Sequence, residues 1–415
     1  MITSSPIAGG ARQLAALATD GSETRNAVKA LCRRTAVASL MGAIVCATSI
    51  ASAAGFVETD LVANQKPLTD ANGIVHQANV VDPHLVNPWG VGESATSPFW
   101  VADNGAGLST LYNTQGTPQA LVVSIPAPGD PLGSGGAPTG LVFNIALGQA
   151  AFPISGFTSG GVATKAPAVF LFATEDGTIL GWNPNVGPSP GGFTAPSTHA
   201  IIAVPAGGAA SSGAVYKGLA IANTSEGPRL YATNFHAGTV EAYDGSFNPA
   251  TLPPGAFVDP GLPSGYAPFN IVLVGNRLFV TYAVQNAEKH DDVAGQGHGI
   301  VDTFGLDGQM LARFAQHGQL DSPWGVALAP ASFGEFAGDL LIGNFGNGHI
   351  NAFNPTTGEF IDKVRNPHGQ SIAIDGLWTI RFGNGGNGGD QNTLYFTAGP
   401  NGESDGLFGS LAPGQ

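Results

Sequence analysis

The chain contains 415 residues, of which 11% are charged, and its formal net charge is −14. An acidic surface repels phosphate backbones and anionic lipid headgroups, so this charge argues against nucleic acid and acidic membranes as partners. Glycine (61 residues) and proline (30 residues) interrupt the apolar runs so often that they exclude long amphipathic helices and predict many tight turns.

Residues 1–54 differ in composition from the remainder of the chain. Four basic residues lie between positions 25 and 34, an apolar run covers residues 36–50, and small residues occupy positions 51–53. This order is typical of a secretory signal peptide, and the apolar run is short for a membrane span. We predict a signal peptide in residues 1–54, a single domain in residues 55–415 without membrane insertion, and a periplasmic or extracellular location. An uncleaved N-terminal anchor is the alternative.

Both cysteines, Cys32 and Cys46, lie inside the predicted signal peptide. Without it, the chain has no thiol for a disulfide, a thiolate nucleophile or a cysteine-ligated metal. Residues 1–54 hold five of the 15 basic and two of the 29 acidic residues, so the net charge of the remainder is −17. A domain of about 360 residues is long enough to be held together by its core alone, and we expect a monomer.

One short apolar phrase recurs six times along the chain. The phrases lie about 50–55 residues apart, except for one longer interval that contains a Gly- and Pro-rich insertion at residues 152–161. A recurrence of this length indicates a repeat architecture, in which no unit can bury its faces alone. The phrases, and therefore the predicted repeat units, begin near Asn87, Pro138, Tyr216, Ala267, Ser322 and Asp375.

Each phrase is followed by further short runs that are rich in β-branched and aromatic residues and are separated by Gly-centred turns. This pattern predicts strands, and six units of four strands predict an all-β, six-bladed β-propeller. The run at residues 56–62 has no partner before the first blade. We predict that it pairs with residues 407–411 of the last blade and closes the ring. An extended β-solenoid, which would need a shorter and more regular period, is the alternative.

Five phrases carry a resemblance to a known family. They are residues 61–64, 81–90, 289–295, 322–325 and 405–409. Together they resemble an uncharacterised family of exported bacterial β-propellers that is often found beside PEP-CTERM sorting systems. More distantly, the units are similar to NHL-repeat and six-bladed lactonase-type propellers. The resemblance implies the fold and export and implies no particular activity.

The most polar stretch of the predicted domain is the loop at residues 286–298. Its carboxylates and imidazoles are suited to binding a divalent cation or to acting as a general base, with Asp291 and Asp292 as metal candidates and His290 as a catalytic candidate. The alternative is a solvated hairpin loop, since charged runs on loops are usually solvated.

A second candidate metal site lies where the innermost strands of the blades begin. Asn87, Asn270 and Asp375 offer oxygen ligands for one Ca²⁺ over the central channel, an arrangement that the resemblance to lactonases suggests. The alternative is that these are ordinary turn residues. Aligned across the six units, these entrance positions are Asn87, Thr139, Lys217, Asn270, Ser322 and Asp375.

Four histidines outside the polar loop are candidates for roles at the channel. His236 and His349 lie near equivalent turns of the third and fifth blades, where they are suited to acid and base roles, or are exposed turn residues. His76 and His84 precede the first blade, where they either cap the channel or pack in the linker.

Two further patterns in the sequence bear on function. Trp89, Trp324 and Trp378 recur at one position of the repeat, which favours a core between blades over a platform for sugars or flat ligands. Residues 187–191 and 402–406 match G-x-S-x-G, but no helix follows either match, so the sequence does not support a serine nucleophile.

The sequence therefore predicts an exported binding module whose ligand is an unknown small molecule, glycan or protein. The alternative is a Ca²⁺-dependent hydrolase of the lactonase or esterase type over the central channel. In that alternative Ca²⁺ polarises a carbonyl and a histidine moves the proton.

Overall fold

The computed structural model describes residues 55–206 and 213–414, so the predicted signal peptide lies outside the described residues. Within this part the regular elements are mainly β-strands. No described helix is long and apolar enough to cross a membrane. The described helical segments are three 3₁₀ turns and one four-residue turn, α1: Asn104–Ala106, Leu147–Gln149, Gly334–Phe336 and α1 (Pro400–Glu403).

The segment before the first blade forms one long strand and three short ones. The short strands β2 and β3 pair as a hairpin, and β4 lies parallel to the end of β1. Their bounds are β1 (Phe56–Ala63), β2 (Leu68–Thr69), β3 (Val75–His76) and β4 (Val80–Val81).

The first three blades are antiparallel sheets that follow one another in the chain. The insertion in the long repeat interval is a separate hairpin, β10 (Pro153–Phe157) and β11 (Ala163–Pro167), beside the second blade. From the innermost strand outward the blades are β5 (Pro88–Gly92), β6 (Phe99–Asp103), β7 (Leu108–Tyr112) and β8 (Val123–Ser124); β9 (Pro138–Phe143), β12 (Phe170–Thr174), β13 (Ile179–Trp182) and β14 (Ile201–Val204); and β15 (Tyr216–Thr224), β16 (Gly227–Asn234) and β17 (Thr239–Asp244).

The last three blades repeat this pattern, and the sixth also takes up the N-terminal strands. From the innermost strand outward they are β18 (Tyr266–Val274), β19 (Arg277–Val284), β20 (Ile300–Phe304) and β21 (Met310–Gln316); β22 (Pro323–Leu328), β23 (Leu340–Asn344), β24 (Ile350–Phe353) and β25 (Phe360–Lys363); and β26 (Leu377–Phe382), β27 (Leu394–Ala398) and β28 (Leu407–Pro413), followed by β1 and β4.

The two ends of the described chain close the ring. Strand β1 pairs antiparallel with β28, from Phe56 opposite Pro413 to Ala63 opposite Leu407. The innermost strand of the sixth blade, β26, also lies against the innermost strand of the first, β5. The predicted six-bladed propeller and its closure by the N-terminal strand are therefore confirmed.

The hydrophobic core lies between the blades. Six clusters of buried side chains in the described residues each join two neighbouring blades, and a seventh lies on the axis. Between the first two blades, for example, the ring of Trp100 stacks on Phe170 at 4.1 Å. Every middle strand thus has a neighbouring sheet on both faces, which explains why strands such as β6, β12 and β27 are buried along their whole length.

One backbone hydrogen bond recurs in all six blades. In each, the carbonyl of the residue before the innermost strand accepts from the N–H of the residue after the second strand, at 2.8–3.0 Å. The bond ties the second-to-third-strand turn to the entrance of the inner strand. It therefore places six residues at equivalent positions around the axis: Asn104, Glu175, Phe235, Gln285, Phe345 and Gly399.

Candidate functional site

Every innermost strand has a register shift against its neighbour in its first half. A β-bulge of this kind redirects a side chain out of the regular alternation. Here the bulges coincide with the position that marks the repeat in the sequence. The residues at or next to the bulges are Trp89, Thr139, Lys217, Phe269, Trp324 and Trp378.

The aromatic members of this set fill the axis of the ring. Trp89 and Trp378 stack with their ring centroids 3.5 Å apart, and Trp324 meets them edge-on at 6.1 and 5.8 Å. Phe269 packs on Trp378 and on Phe235. We call these five rings the axial layer. The tryptophans are buried core residues, but they lie on the axis and not between two blades as the sequence favoured, and they separate two sites on the axis.

On one side of the axial layer lies an apolar channel of about 570 Å³ that is lined by the inner strands of all six blades. Isoleucine and leucine side chains at its rim, Ile145 and Leu328, are nearly half exposed. The charged pair on its wall is Glu93 and Arg381, whose Oε1 and Nη2 atoms are 2.9 Å apart. Burial raises the pKa of Glu93, partly offset by Arg381. The wall includes Val91, Leu141, Leu219, Ile271, Val326 and Ile380.

On the opposite side of the axial layer, the ammonium group of Lys217 lies 5.0 Å from the centroid of the Trp89 ring. Lys217 is only 1% exposed. Its Nζ donates to Glu175 and, at 3.3 Å, to Asp291 Oδ1. Glu403 is the third carboxylate that acts on this ammonium. We call these four residues the Lys217 centre.

Two asparagines connect the carboxylates of the Lys217 centre. Asn104 Nδ2 donates to Glu175 Oε2 at 2.8 Å, and Asn87 Nδ2 donates to Glu403 Oε2 at 2.6 Å and to Asn104 Oδ1 at 3.2 Å. Asn87 Oδ1 accepts from Trp378 Nε1 at 3.0 Å. The charged centre is thereby joined directly to the axial layer beneath it.

The turn that carries Glu403 has an unusual backbone. Asn401, Gly402 and Glu403 all have φ between 59° and 68°, so this turn is left-handed. Its start is held by Asp375, whose Oδ2 accepts from Asn401 N at 2.9 Å. Asp375 thus supports the turn from which Glu403 reaches the centre.

The charges of the centre fix the state of the lysine. Burial alone would lower the pKa of Lys217, but Glu175, Asp291 and Glu403 outweigh it, so the pKa is raised. Burial raises the pKa of Glu403, and Glu175 adds to this effect, against the hydrogen bond from Asn87. Lys217 is therefore an ammonium ion at neutral pH, which suits electrostatic stabilisation and not nucleophilic attack.

Three of the candidates from the sequence meet at this face. Asn87 and Asp291 belong to the network, and His290 Nδ1 lies 2.8 Å from Asp291 Oδ1. Glu175, His290 and Asp291 offer ligand atoms within 4.8 Å of one another, but the Lys217 ammonium already bonds to two of these residues. Asp292 follows Asp291 in the chain, and burial raises its pKa.

The other candidates lie elsewhere. Asn270 lines the channel beyond the axial layer, where its Nδ2 donates to the Trp324 carbonyl at 2.8 Å. The ring of Asn87, Asn270 and Asp375 expected for Ca²⁺ is therefore not assembled. The physical reason is register, because Asn270 follows the bulged Phe269 and Asp375 precedes its strand by two residues.

The two turn histidines have separate surroundings. His349 Nδ1 lies 2.8 Å from the Ile372 carbonyl, in the seam between the fifth and sixth blades. His236 is half-buried beside Phe235, and among the described residues no hydrogen bond of its ring is found. The structure does not bring these two imidazoles to one site.

Glu175 and Glu403 are not among the site residues that the sequence predicts, and Lys217 has no predicted role beyond its position in the ring. One signal was available, because Glu175 and Asn104 occupy the same position of the repeat, directly after the second strand. Glu403 lies four residues beyond the corresponding Gly399, so alignment of the repeats does not reveal it.

The chain is a six-bladed β-propeller, and the aromatic rings of the axial layer close its central channel partway. It belongs to the family of the uncharacterized proteins R648 and L690 of Acanthamoeba polyphaga mimivirus. It is 32% identical to R648 over 344 residues (82% of this chain and 78% of R648). It is 31% identical to L690 over 354 residues (83% of this chain and 86% of L690). No family model matches the chain.

These relatives are viral, whereas the resemblance in the sequence pointed to a bacterial family. Among solved structures, the chain is similar to a streptogramin B lyase (TM-score 0.46, 10% identity, 87% of this chain and 98% of the lyase). It is also similar to the soluble aldose sugar dehydrogenase of Escherichia coli (TM-score 0.46, 11% identity, 86% and 99%). At these identities the likeness concerns the fold alone.

Proposed function

We propose that this protein is a binding module that holds a small, largely apolar molecule in the central channel. The observation that supports the proposal is the channel itself, which is lined by all six blades and closed at its floor by the axial layer. Ligand sites are usually concave, mainly apolar, of 300–1,000 Å³, and carry a few polar groups. A channel of about 570 Å³ with one ion pair on its wall fits this description.

The lining also argues for a class of ligand. Aliphatic side chains dominate the wall, and the rim adds Ile145 and Leu328. Such a surface favours an aliphatic or aromatic body over a glycan, whose hydroxyl groups would lose their hydrogen bonds to water. A polar end of the ligand would meet Arg381 and Glu93.

The place of action is part of the proposal. The basic, apolar and small-residue order of residues 1–54 supports export, and so does the restriction of both cysteines to that segment. An association with PEP-CTERM systems stays a prediction from the sequence resemblance.

The test uses the neutral dye N-phenyl-1-naphthylamine, whose emission rises in apolar sites. We expect saturable binding of one dye per chain, with a change in tryptophan emission because Trp324 lines the channel and packs edge-on against Trp89 and Trp378. Ile145→Gln and Leu328→Gln should each weaken binding about tenfold, since burying an aliphatic side chain stabilises by roughly 1.5–3 kcal/mol. Leu311→Gln is the matched control, because Leu311 is similarly exposed but lies on the outer strand β21.

Loss of dye binding in the Leu311 variant, or unchanged binding in both rim variants, would contradict the proposal. Fluorescence without saturation would contradict it as well.

A Ca²⁺-dependent hydrolase of the lactonase or esterase type is the second candidate. The observation that favours it is the meeting of Glu175, His290 and Asp291 on the opposite face of the ring. Hydrolysis of p-nitrophenyl acetate that needs Ca²⁺ and is lost in Glu175→Gln would support it. Equal rates in EDTA and Ca²⁺ would contradict it.

A further inference from the structure

A third polar cluster lies far from the channel, on the outer edge of the sixth blade. Glu58 and Asp60 are two positions apart on β1, so both side chains leave the same face of the strand. The hairpin of β2 and β3 lies against this face and contributes His76, which is buried. Asp70, in the turn of the hairpin, is buried next to His76.

The imidazole of His76 lies between two carboxylates. Its Nδ1 is 3.0 Å from Asp60 Oδ1, and its Nε2 is 3.5 Å from Asp70 Oδ2. Glu58, Asp60 and His76 each offer a ligand atom, and these atoms lie within 4.8 Å of one another. Among the described residues, no hydrogen bond to the Glu58 carboxylate is found.

Asp70 provides an independent observation. Its side chain is fully buried, and Oδ1 accepts from Ile74 N at 2.7 Å, while Oδ2 accepts no hydrogen bond from the described residues and faces His76 Nε2. A histidine that ligates a metal through one nitrogen usually donates its other N–H to a carboxylate, which fixes the orientation of the ring. Asp70 is placed for that role.

We propose that Glu58, Asp60 and His76 form a binding site for one divalent transition-metal ion, with Asp70 orienting His76. The ion would bind His76 Nδ1 in place of its proton, which leaves to solvent. It would also bind one carboxylate oxygen of Glu58 and one of Asp60. One imidazole and two carboxylates suit Zn²⁺ or Mn²⁺, whereas Ca²⁺ prefers oxygen ligands alone.

The location gives such an ion a structural consequence. Glu58 and Asp60 belong to the strand that closes the ring, and His76 belongs to the hairpin packed on it. A bound ion would hold the hairpin to the closing strand and stabilise the folded protein according to its occupancy.

The experiment uses the EDTA-treated, dialysed protein and titrates it with Zn²⁺, Mn²⁺ or Ca²⁺ by calorimetry and thermal unfolding. We expect one Zn²⁺ or Mn²⁺ per chain, a rise in melting temperature of more than about 3 °C, and a much weaker response to Ca²⁺. Glu58→Gln and His76→Asn should abolish the response. His84→Asn is the matched control, because His84 Nδ1 also lies 2.9 Å from a carboxylate, that of Asp82, but His84 is exposed and pairs with no second acid among the described residues.

Glu58→Gln keeps the shape of the side chain and removes one charge from among three acids. We therefore expect the metal-free Glu58→Gln variant to melt no lower than the metal-free wild type, so it decides the question even if His76→Asn fails to fold. The proposal is overturned if the wild type binds neither Zn²⁺ nor Mn²⁺, if the response persists in Glu58→Gln, or if His84→Asn removes it. Dye binding in the channel is measured separately, so failure of one proposal is distinguishable from failure of the other.

Discussion

The indole rings of Trp89 and Trp378 stack at 3.5 Å and join the first blade of the ring to the last. The innermost strands of these blades, β5 and β26, are also joined by the hydroxyl of Thr379, which donates to the Trp89 carbonyl at 2.7 Å. The seam between the first and sixth blades is therefore fixed on the axis as well as at the outer edge.

Truncation of Trp89 to alanine should be strongly destabilising. Its ring is fully buried and contacts Trp324, Trp378 and the Lys217 ammonium. We expect a loss of about 3–5 kcal/mol in the free energy of unfolding, measured by guanidinium titration. Trp89→Phe keeps an aromatic ring in the stack and should lose less than half as much; equal losses would show that stacking contributes little.

The closing strand can be tested with two adjacent residues. Phe56 is 1% exposed and packs on Phe333 and Phe336 of the fifth blade, whereas the neighbouring Val57 is 48% exposed. Phe56→Ala should therefore cost about 3–5 kcal/mol. Val57→Ala should stay within about 0.5 kcal/mol of the wild type. Similar effects of the two changes on chemical unfolding would contradict the role assigned to Phe56.

Lys217→Met should destabilise the protein in a way that depends on pH. Removal of one partner from a buried ion pair typically costs 3–5 kcal/mol, and here it leaves Glu175, Asp291 and Glu403 without their cation. In the wild type the raised pKa of Lys217 means that its stabilising effect is present below the ordinary value of 10.5 and is lost only as pH rises through the higher folded value.

The stability of Lys217→Met should depend on pH between 8 and 5, a range in which the wild-type lysine stays protonated. As the pH falls from 8 toward 5, Glu403 begins to protonate because burial raises its pKa, and its repulsion with the other carboxylates is relieved. The stability difference between Lys217→Met and the wild type should therefore shrink toward pH 5 in urea unfolding. Glu175→Gln, which keeps the lysine and two acids, should show a smaller pH dependence than Lys217→Met.

Asn87 and Ser322 provide a matched pair at equivalent strand entrances. Both have positive φ, 46° and 44°, which glycine adopts without strain. Ser322→Gly should change stability by less than about 1 kcal/mol, because relief of strain offsets the lost hydroxyl. Asn87→Gly also removes the hydrogen bonds to Trp378 and Glu403 and should cost about 1–3 kcal/mol in thermal unfolding. A neutral Asn87→Gly would show that this network contributes no stability.

The ring was predictable from the sequence because its determinants are local. Short apolar runs, Gly-centred turns and a recurring phrase are properties of neighbouring residues, and the closing pair followed from one strand without a partner. The bulge position was also visible, since Trp89, Trp324 and Trp378 recur in it.

The Lys217 centre was not predictable in the same way. Its carboxylates come from three different blades: Glu175, Asp291 and Glu403. Asp291 and Glu403 lie on loops between the second and third strands, and the lengths of these loops differ between repeats. Asn270 shows the limit of register arguments: a step of one residue beyond the bulge puts its side chain on the other side of the axial layer.

The pairing of β1 with β28 also has a consequence for biosynthesis. Contacts at this seam, such as that of Asn64 with Asp405, join residues 341 positions apart. Strand β1 leaves the ribosome long before the last blade is translated. It therefore has no pairing partner until β28 emerges. Chains that terminate early therefore leave an open sheet edge, which marks them for aggregation or proteolysis and distinguishes them from full-length products.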